Sequence, residues 1–438
     1  MEHDSKAKAK AEQLERQSIL TSIEEAMRRL LERIDFASLS APAECGRPRA
    51  ISAALFWSAV LVAIIRGAES MRGIWRLISS TGLWDYTRIR VSDEAIYRRL
   101  KSDDWEAAER LFLEMQSLLP VSAPLPRRET WFAPGGVFAI DDTVLDQVAK
   151  KTASLRGKKT PELAGRVSTV FDIRSGRVIR AKIYEDANEN EKKHVRELLT
   201  ELPAASMLVF DLGYFGFRWF DELTDQGHFY VSRMRAGTSI GTVIHTYCQS
   251  DCYIDRIVWL GKHRADRAKH AVRLIEVLVG KTWHRYLTNQ LDARQLKVCD
   301  VVRLYASRWD IELAFKLIKR VLGLSTIWSA DFNIIRIQVF AILTVAWVVR
   351  ASRTALAKAL KMDVDDISEE LMLKVIPLVM SKGDPEALAE FIRSEQKGLG
   401  LVARPSRRIK YESPKGIAVI PLPDGLVLTR TPRYAGRV

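Results

Sequence analysis

The chain has 438 residues, of which 47% are apolar and 28% are charged, and its formal net charge is +14 with a pI near 9.6. This length allows about two to four domains with apolar cores. Four scattered cysteines exclude a disulfide scaffold. The excess of positive charge predicts a polyanionic partner, most simply nucleic acid, with a merely soluble basic protein as the alternative.

The chain shows no sequence feature that indicates export or a membrane span. Its N-terminus, MEHDSKAKAKAEQLERQ, is charged and lacks the apolar run of a signal peptide. The two most apolar segments, 53–65 and 339–349, are both too short to cross a bilayer. We therefore expect a cytoplasmic protein without a membrane partner.

The N-terminal quarter is predicted to be helical. Residues 1–20 indicate a polar tail, and residues 21–119 follow helical periodicity throughout. In VSDEAIYRRLKSDDW, Ser92 can cap a helix whose exposed side carries Arg98 and Arg99. This pattern is similar to a helix-turn-helix unit, so we expect residues 21–119 to bind DNA, with a plain helical bundle as the alternative.

Residues 120–136 are rich in proline and glycine and predict a linker. The pattern then changes to short apolar strands that alternate with helices, which is typical of an α/β domain. The predicted strands are 137–140, 166–173, 178–184, 207–210 and HFYVSRMR (228–235), and the predicted helices lie near 189–201 and 215–226. The first strand ends at Asp141 and Asp142, and the fourth ends at Asp211.

Residues 236–285 interrupt this order with strand-like alternation and predict a β-rich insertion. The α/β core would then comprise 137–235 and 286–360, and 361–438 would form a C-terminal helical region and basic tail. Arg233 and Arg235, at the end of the strand before the insertion, are possible DNA contacts.

The segment YASRWDIELAFKLIK carries an ionic stripe. At roughly 100° per residue, a helix places Tyr305, Arg308, Glu312 and Lys319 within an arc of about 60°, beside an apolar arc. Glu312 could hold a divalent ion, and the two cations could hold phosphate oxygens. Spacing alone leaves open a solvated face with ion pairs between successive turns.

Three acids occur in order along the predicted core: Asp141, Asp211 and Glu312. Polar side chains at the ends of strands in open α/β sheets converge on a ligand, and carboxylate oxygens are good ligands for hard divalent cations. Each aspartate alone could be a turn or cap residue. Together with the ionic helix, the three predict a two-metal site that acts on phosphodiesters.

The chain resembles the DDE-type transposases of bacterial insertion sequences, in the insertion-sequence-four family. The family signature Y-(2)-R-(3)-E-(6)-K is matched at every interval within 305–319. The I-D-x-T and D-x-G-Y contexts of the family's first two aspartates are matched at 140–143 and 211–214. The resemblance covers about 135–360 well and the helical N-terminus loosely.

This resemblance implies an RNase H-like catalytic core with a β-rich insertion, preceded by an all-helical N-terminal DNA-binding domain. The implied ligands of two Mg²⁺ ions, for which Mn²⁺ could substitute, are Asp141, Asp211 and Glu312. The residues implied to grip phosphate near the cleaved end are Tyr305, Arg308 and Lys319. The implied partners are the double-stranded DNA of the element ends and target, and a second copy of the chain in a homodimer.

Three alternatives stay open. A nuclease of the same fold could cut without joining, because the metal chemistry is shared, and a domesticated protein could bind DNA without catalysis. Asp142 is the alternative first acid, since only one of two adjacent residues on a strand can face the site. The I-D-x-T register favours Asp141.

Overall fold

Helices make up the first part of the described chain, and a mixed sheet flanked by helices makes up the second. A computed structural model describes residues 23–39, 49–119, 132, 134–145, 165–186, 191–262, 266–320, 322–360, 364, 367, 369 and 419–434. The predicted polar tail 1–20, most of the predicted linker and most of the C-terminal region lie outside these residues.

The N-terminal helices begin where the sequence supplies capping side chains. Ser52 Oγ accepts a hydrogen bond from Leu55 N, and Ser92 Oγ accepts one from Ala95 N, both at 3.2 Å. The helices are α1 (Ile23–Leu31), α2 (Phe36–Leu39), α3 (Ala53–Ile65), α4 (Arg72–Trp75, continued by a π turn over Arg76–Ser80), α5 (Asp93–Ser102) and α6 (Trp105–Leu118). Helix α3 is buried on nearly every side, as its uniformly apolar sequence requires.

The described strands form one nine-stranded sheet in the order β3-β2-β1-β4-β5-β9-β8-β7-β6. They are β1 (Val137–Val144), β2 (Arg166–Asp172), β3 (Arg177–Tyr184), β4 (Met207–Phe210), β5 (Phe229–Arg233), β6 (Ile240–Gln249), β7 (Tyr253–Leu260), β8 (Val272–Val279) and β9 (Thr282–Thr288). Strands β4 and β5 run parallel to β1, and the remaining pairings are antiparallel.

Two sequence expectations about strands meet different outcomes. The predicted hairpin is confirmed, because β2 and β3 pair antiparallel around a turn at 173–176. The predicted end of the first strand at Asp141 is wrong. Pairing with β2 carries β1 through Asp141 and Asp142 to Val144, opposite Arg166. The four strands of the predicted insertion extend the same sheet through the β5–β9 pairing.

The helices of the second part pack against the sheet and against the N-terminal helices. They are α7 (Glu191–Leu199), α8 (Phe217–Asp225), α9 (Val298–Ser307), α10 (Trp309–Arg320) and α11 (Phe332–Leu360). The ionic stripe was predicted on one helix, but it spans α9 and α10, which meet at Arg308. Arg308 keeps a helical backbone (φ −55°, ψ −32°) and its N–H bonds three residues back to Tyr305 O, so the helix tightens there.

Helix α11 joins the two parts of the molecule. It contacts α1, α3, α5 and α6 on one side, and β3 and α10 on the other. By length and composition alone its segment Phe332–Ala355 could cross a membrane, which the sequence-based length estimate missed. However, 78% of the apolar window lies buried inside the protein. Packing against neighbouring helices therefore accounts for its apolar composition.

Candidate functional site

Asp141 lies on β1, and Asp211 directly follows the neighbouring parallel strand β4 at the same level of the sheet. Strands β1 and β4 pair with Ala139 opposite Val209, so two residues further along Asp141 comes beside Asp211. Asp211 follows the last residue of β4 and caps a 3₁₀ turn at 212–214, where its Oδ1 accepts a hydrogen bond from Gly213 N at 3.3 Å. The turn thus fixes the carboxylate of Asp211 at the edge of the strand.

The environment of Asp141 disfavours its negative charge. Burial raises the pKa of Asp141 to about 7, although a hydrogen bond from Asp142 N and the positive charge of Arg308 act against the rise. The neighbouring charges of Asp211 and Asp142 add to it. A carboxyl that is desolvated and crowded by other carboxylates gains most from an added cation.

Arg308 connects the strand acids with the helix acid. Its Nη2 pairs with Glu312 Oε1 at 2.8 Å, and its side chain is only 10% exposed. Burial acts to lower the pKa of Arg308, but Tyr305, Glu312 and Asp211 together raise it above its ordinary value. The guanidinium of Arg308 therefore pairs with Glu312 and lies within electrostatic range of Asp141, Asp211 and Tyr305.

Two features show that this guanidinium has capacity for a further anion. The buried Nε of Arg308 has no hydrogen-bond partner among the described residues. Glu312, the carboxylate that pairs with Arg308, also lines an open depression on α10 together with Phe315, Lys316 and Lys319. Lys319, two turns beyond Glu312, thus faces the same opening. The arrangement suits a phosphate that enters from solvent.

The donor chemistry of the three acids fits a hard divalent cation, since all of their ligating atoms would be carboxylate oxygens. In the described part of the chain, no three Asp, Glu, His or Cys side chains are close enough together to hold a metal ion. A protein cation, the Arg308 guanidinium, instead lies among the carboxylates. This guanidinium supplies part of the positive charge that a bound cation would supply to the acids.

The four arginines predicted to contact DNA have different fates. Arg233 and Arg235 are exposed at the end of β5, where Arg233 lies within electrostatic range of Tyr305. Arg98 is exposed on α5, beside Glu94. Arg99 is buried, pairs with Asp103 at 3.1 Å and stacks on Phe56, so its predicted place on the exposed side of the helix is wrong.

Asp142 faces the opposite side of β1, where it forms a cluster that sequence reasoning missed. We name this the far-side cluster, and its members are Asp142, Arg166, Ser168, His194 and Tyr214. The carboxylate of Asp142 lies 3.5 Å from Arg166 Nη1, 3.6 Å from His194 Nδ1 and 3.3 Å from the Tyr214 hydroxyl, and His194 Nδ1 lies 3.3 Å from Ser168 Oγ. The alternation of side chains along a continuous strand was the signal that could have placed Asp142 there.

Comparison with known proteins gives this geometry a context. Residues 133–348, just under half of the chain, match the protein family described as Transposase DDE domain. The chain is 25% identical over 161 residues to protein y4zB of Sinorhizobium fredii, a candidate transposase by its name. That match covers 36% of this chain and 44% of the relative, so the chain spans less than half the length of the curated relative it matches.

A solved structure is also similar, at a lower level. It is the cryo-electron microscopy structure of the piggyBac transposase synaptic complex with hairpin DNA. The alignment covers 86% of this chain and 85% of the piggyBac chain. The identity is 9% and the TM-score is 0.39, which is too low to establish a shared fold. The family match and the curated relative together support a DDE transposase domain in residues 133–348 of this chain.

Proposed function

We propose that this protein is a transposase that binds the terminal inverted repeats of its own insertion sequence, cleaves DNA at the element ends and joins them to target DNA. The observation that carries the proposal is that Arg308 pairs with Glu312 and interacts electrostatically with Asp141 and Asp211, inside the region that matches the transposase family. The insertion-sequence-four signature supports membership of that family.

The proposed mechanism divides the site residues into two groups. Asp141, Asp211 and Glu312 would hold two Mg²⁺ ions, or Mn²⁺ in their place, which supply activation of the attacking oxygen and stabilisation of the leaving oxygen. Arg308 and Lys319 would hold phosphate oxygens near the cleaved bond. These contacts fix the phosphodiester for in-line attack and neutralise the charge that develops there.

Tyr305 and Arg233 would complete the grip on the DNA strand. Burial raises the pKa of Tyr305, so its hydroxyl keeps its proton and can donate to a phosphate oxygen. Arg233 and Arg235 are exposed at the end of β5 and just beyond it, and they could contact the backbone of a bound DNA strand. These contacts would supply salt-dependent affinity.

We further propose that the sheet half β1–β5, with α9 and α10, is an RNase H-like core, and that α1–α6 contact DNA. The protein would act in the cytoplasm as a homodimer that pairs two element ends. The acids on β1 and at the end of β4 support this assignment of the core, and the net charge of +14 supports DNA as the partner.

Cleavage of the element's own ends tests the proposal. The DNA that flanks the reading frame supplies the ends, and the purified chain is incubated with them and Mg²⁺. We expect cleavage by the wild type and a loss of about 10³-fold or more in Glu312→Gln, or about 4 kcal/mol of barrier. Glu197→Gln, which changes an exposed carboxylate on α7, is the matched control.

The same assay separates the alternatives. Pre-cut ends mixed with target DNA yield joined products from a transposase and none from a nuclease that only cuts. A non-catalytic DNA-binding protein shifts the ends in a gel but cuts nothing. If Glu312→Gln cleaves at the wild-type rate, the assignment of the catalytic acids is wrong.

A further inference from the structure

The far-side cluster has features that a structural core does not need. The Asp142 side chain is 3% exposed and that of His194 is fully buried. A buried carboxylate costs several kcal/mol of desolvation unless its partners compensate, and an apolar side chain of the same size would avoid that cost. The cluster also joins four separate elements at one point: β1, β2, α7 and the turn that follows β4.

One contact of this cluster reaches back to the proposed catalytic acids. The hydroxyl of Tyr214 donates to Asp142 Oδ1 over 3.3 Å. Asp142 directly follows Asp141 on β1, and Tyr214 closes the 3₁₀ turn that Asp211 caps. The hydrogen bond therefore joins the two chain segments that carry the two strand acids.

The turn between Asp211 and Tyr214 is short and firmly bonded. Tyr214 N donates to Asp211 O at 3.2 Å, and Gly213 N donates to Asp211 Oδ1 at 3.3 Å. The ring of Tyr214 is 2% exposed and packs on Phe210, with the ring centres 5.6 Å apart. A change in the position of Tyr214 must therefore change the position of the Asp211 carboxylate.

We propose that Tyr214 and Asp142 are positioning residues that set the distance between the carboxylates of Asp141 and Asp211 for binding a divalent cation. The inference rests on the proposed function and adds a determinant of metal affinity on the far side of the sheet. Asp142 takes no part in ligation. Its carboxylate holds β1 to the turn through the Tyr214 hydroxyl, and the position of Tyr214 in turn determines the position of Asp211.

Direct binding of Mn²⁺ to the full-length chain tests this inference, with free Mn²⁺ counted by electron paramagnetic resonance. Tyr214→Phe removes only the hydroxyl, and we expect it to weaken Mn²⁺ binding by about tenfold, at the lower end of the loss that follows when a hydrogen bond supporting a metal site is removed. The melting temperature should stay close to that of the wild type, because the ring remains packed.

The matched control is Tyr247→Phe, which removes a hydroxyl that bonds to Leu291 O in the β6–β9 half of the sheet. We expect this control to leave Mn²⁺ binding unchanged. The double variant Tyr214→Phe, Asp142→Ala should bind Mn²⁺ no more weakly than the weaker of the two single variants, because each change removes one end of the same hydrogen bond.

Three outcomes decide the matter. Wild-type affinity in Tyr214→Phe overturns the inference, and so does an equal loss in Tyr247→Phe, which would show a general effect of stability. Asp211→Asn serves as the reference for the metal site itself. If Asp211→Asn binds Mn²⁺ as the wild type does, the proposed function fails and the inference fails with it.

Discussion

Asp141 and Asp142 are neighbours in the chain, but the two faces of β1 give them different surroundings. On one face Asp141 interacts with the charges of Asp211 and of the Arg308 guanidinium. On the other face Asp142 is enclosed by Arg166, His194 and Tyr214. The single guanidinium of the first environment does not balance its carboxylates, whereas the second environment already contains the partners of Asp142.

The difference teaches how the same residue type acquires two roles. A carboxyl that is desolvated without enough partners is destabilising in the empty protein and gains from a ligand. A carboxyl with a full set of buried partners stabilises one arrangement of the chain and has no need of a ligand. The comparison therefore predicts opposite effects on stability for substitutions at the two positions.

The largest expected effect is a difference in the free energy of unfolding between substitutions on the two faces of β1. Asp142→Ala should lower the free energy of unfolding by about 3 kcal/mol, because Arg166 and His194 lose their buried carboxylate. Asp141→Ala, measured without metal, should be neutral or stabilising, because it removes a crowded and desolvated carboxyl. Urea unfolding of both variants measures this. Equal losses in the two variants would break the comparison.

The second prediction uses the pKa of Asp141. Because its folded pKa of about 7 lies above the ordinary 3.8, the folded protein binds this proton more tightly than the unfolded chain does. The associated stability is fully present below about pH 4 and is lost as the pH rises through 7. Relative to Asp141→Asn, the wild type should lose roughly 2–4 kcal/mol over this range.

Urea unfolding at several pH values in the presence of a chelator measures that slope. Other acids whose pKa is raised by burial, such as Asp221 and Asp300, are present in both proteins and cancel in the difference. A constant difference between wild type and Asp141→Asn from pH 4 to pH 8 would contradict the description of the Asp141 face as short of positive charge.

The smallest expected effect concerns the Arg308 guanidinium and the affinity for Mn²⁺. Arg308 competes with a divalent ion for Glu312 and its neighbours, so Arg308→Gln should strengthen binding of Mn²⁺ to the free protein by about threefold to tenfold, or about 1 kcal/mol. Titration calorimetry with Mn²⁺ measures the change. Arg98→Gln, which alters an exposed arginine on α5, is the control and should bind Mn²⁺ as the wild type does.

Sequence patterns predicted the elements of the fold better than their extents. The β2–β3 hairpin and the β4 strand were predicted nearly as they occur, because apolar runs bounded by turn residues are a local signal. The length of β1 was not predicted, because two adjacent aspartates resemble a strand end. Its continuation depends on hydrogen bonds with β2, which are not local.

The candidate site shows the same division. The spacing from Tyr305 to Lys319 predicted which side chains share a face, although the helix divides at Arg308. Whether an arginine is exposed could not be predicted. Arg98 and Arg99 are adjacent on α5, and only the packing of Phe56 and the position of Asp103 bury the second. The far-side cluster depends on β2, α7 and the β4 turn, which no single segment reveals.

Helix α11 would determine how far from its recognised DNA sequence the protein cuts. Since it packs against α1, α3, α5 and α6 as well as against β3 and α10, one helix links the N-terminal helices to the part of the protein that carries the acids. If α5 contacts a DNA sequence as proposed, this link would hold that sequence at a fixed distance from the acids. The number of base pairs between the recognised sequence and the cut bond would then be constant. If one base pair were inserted between them, the protein would still cut at the same distance from the recognised sequence and would therefore miss the element end by one base pair.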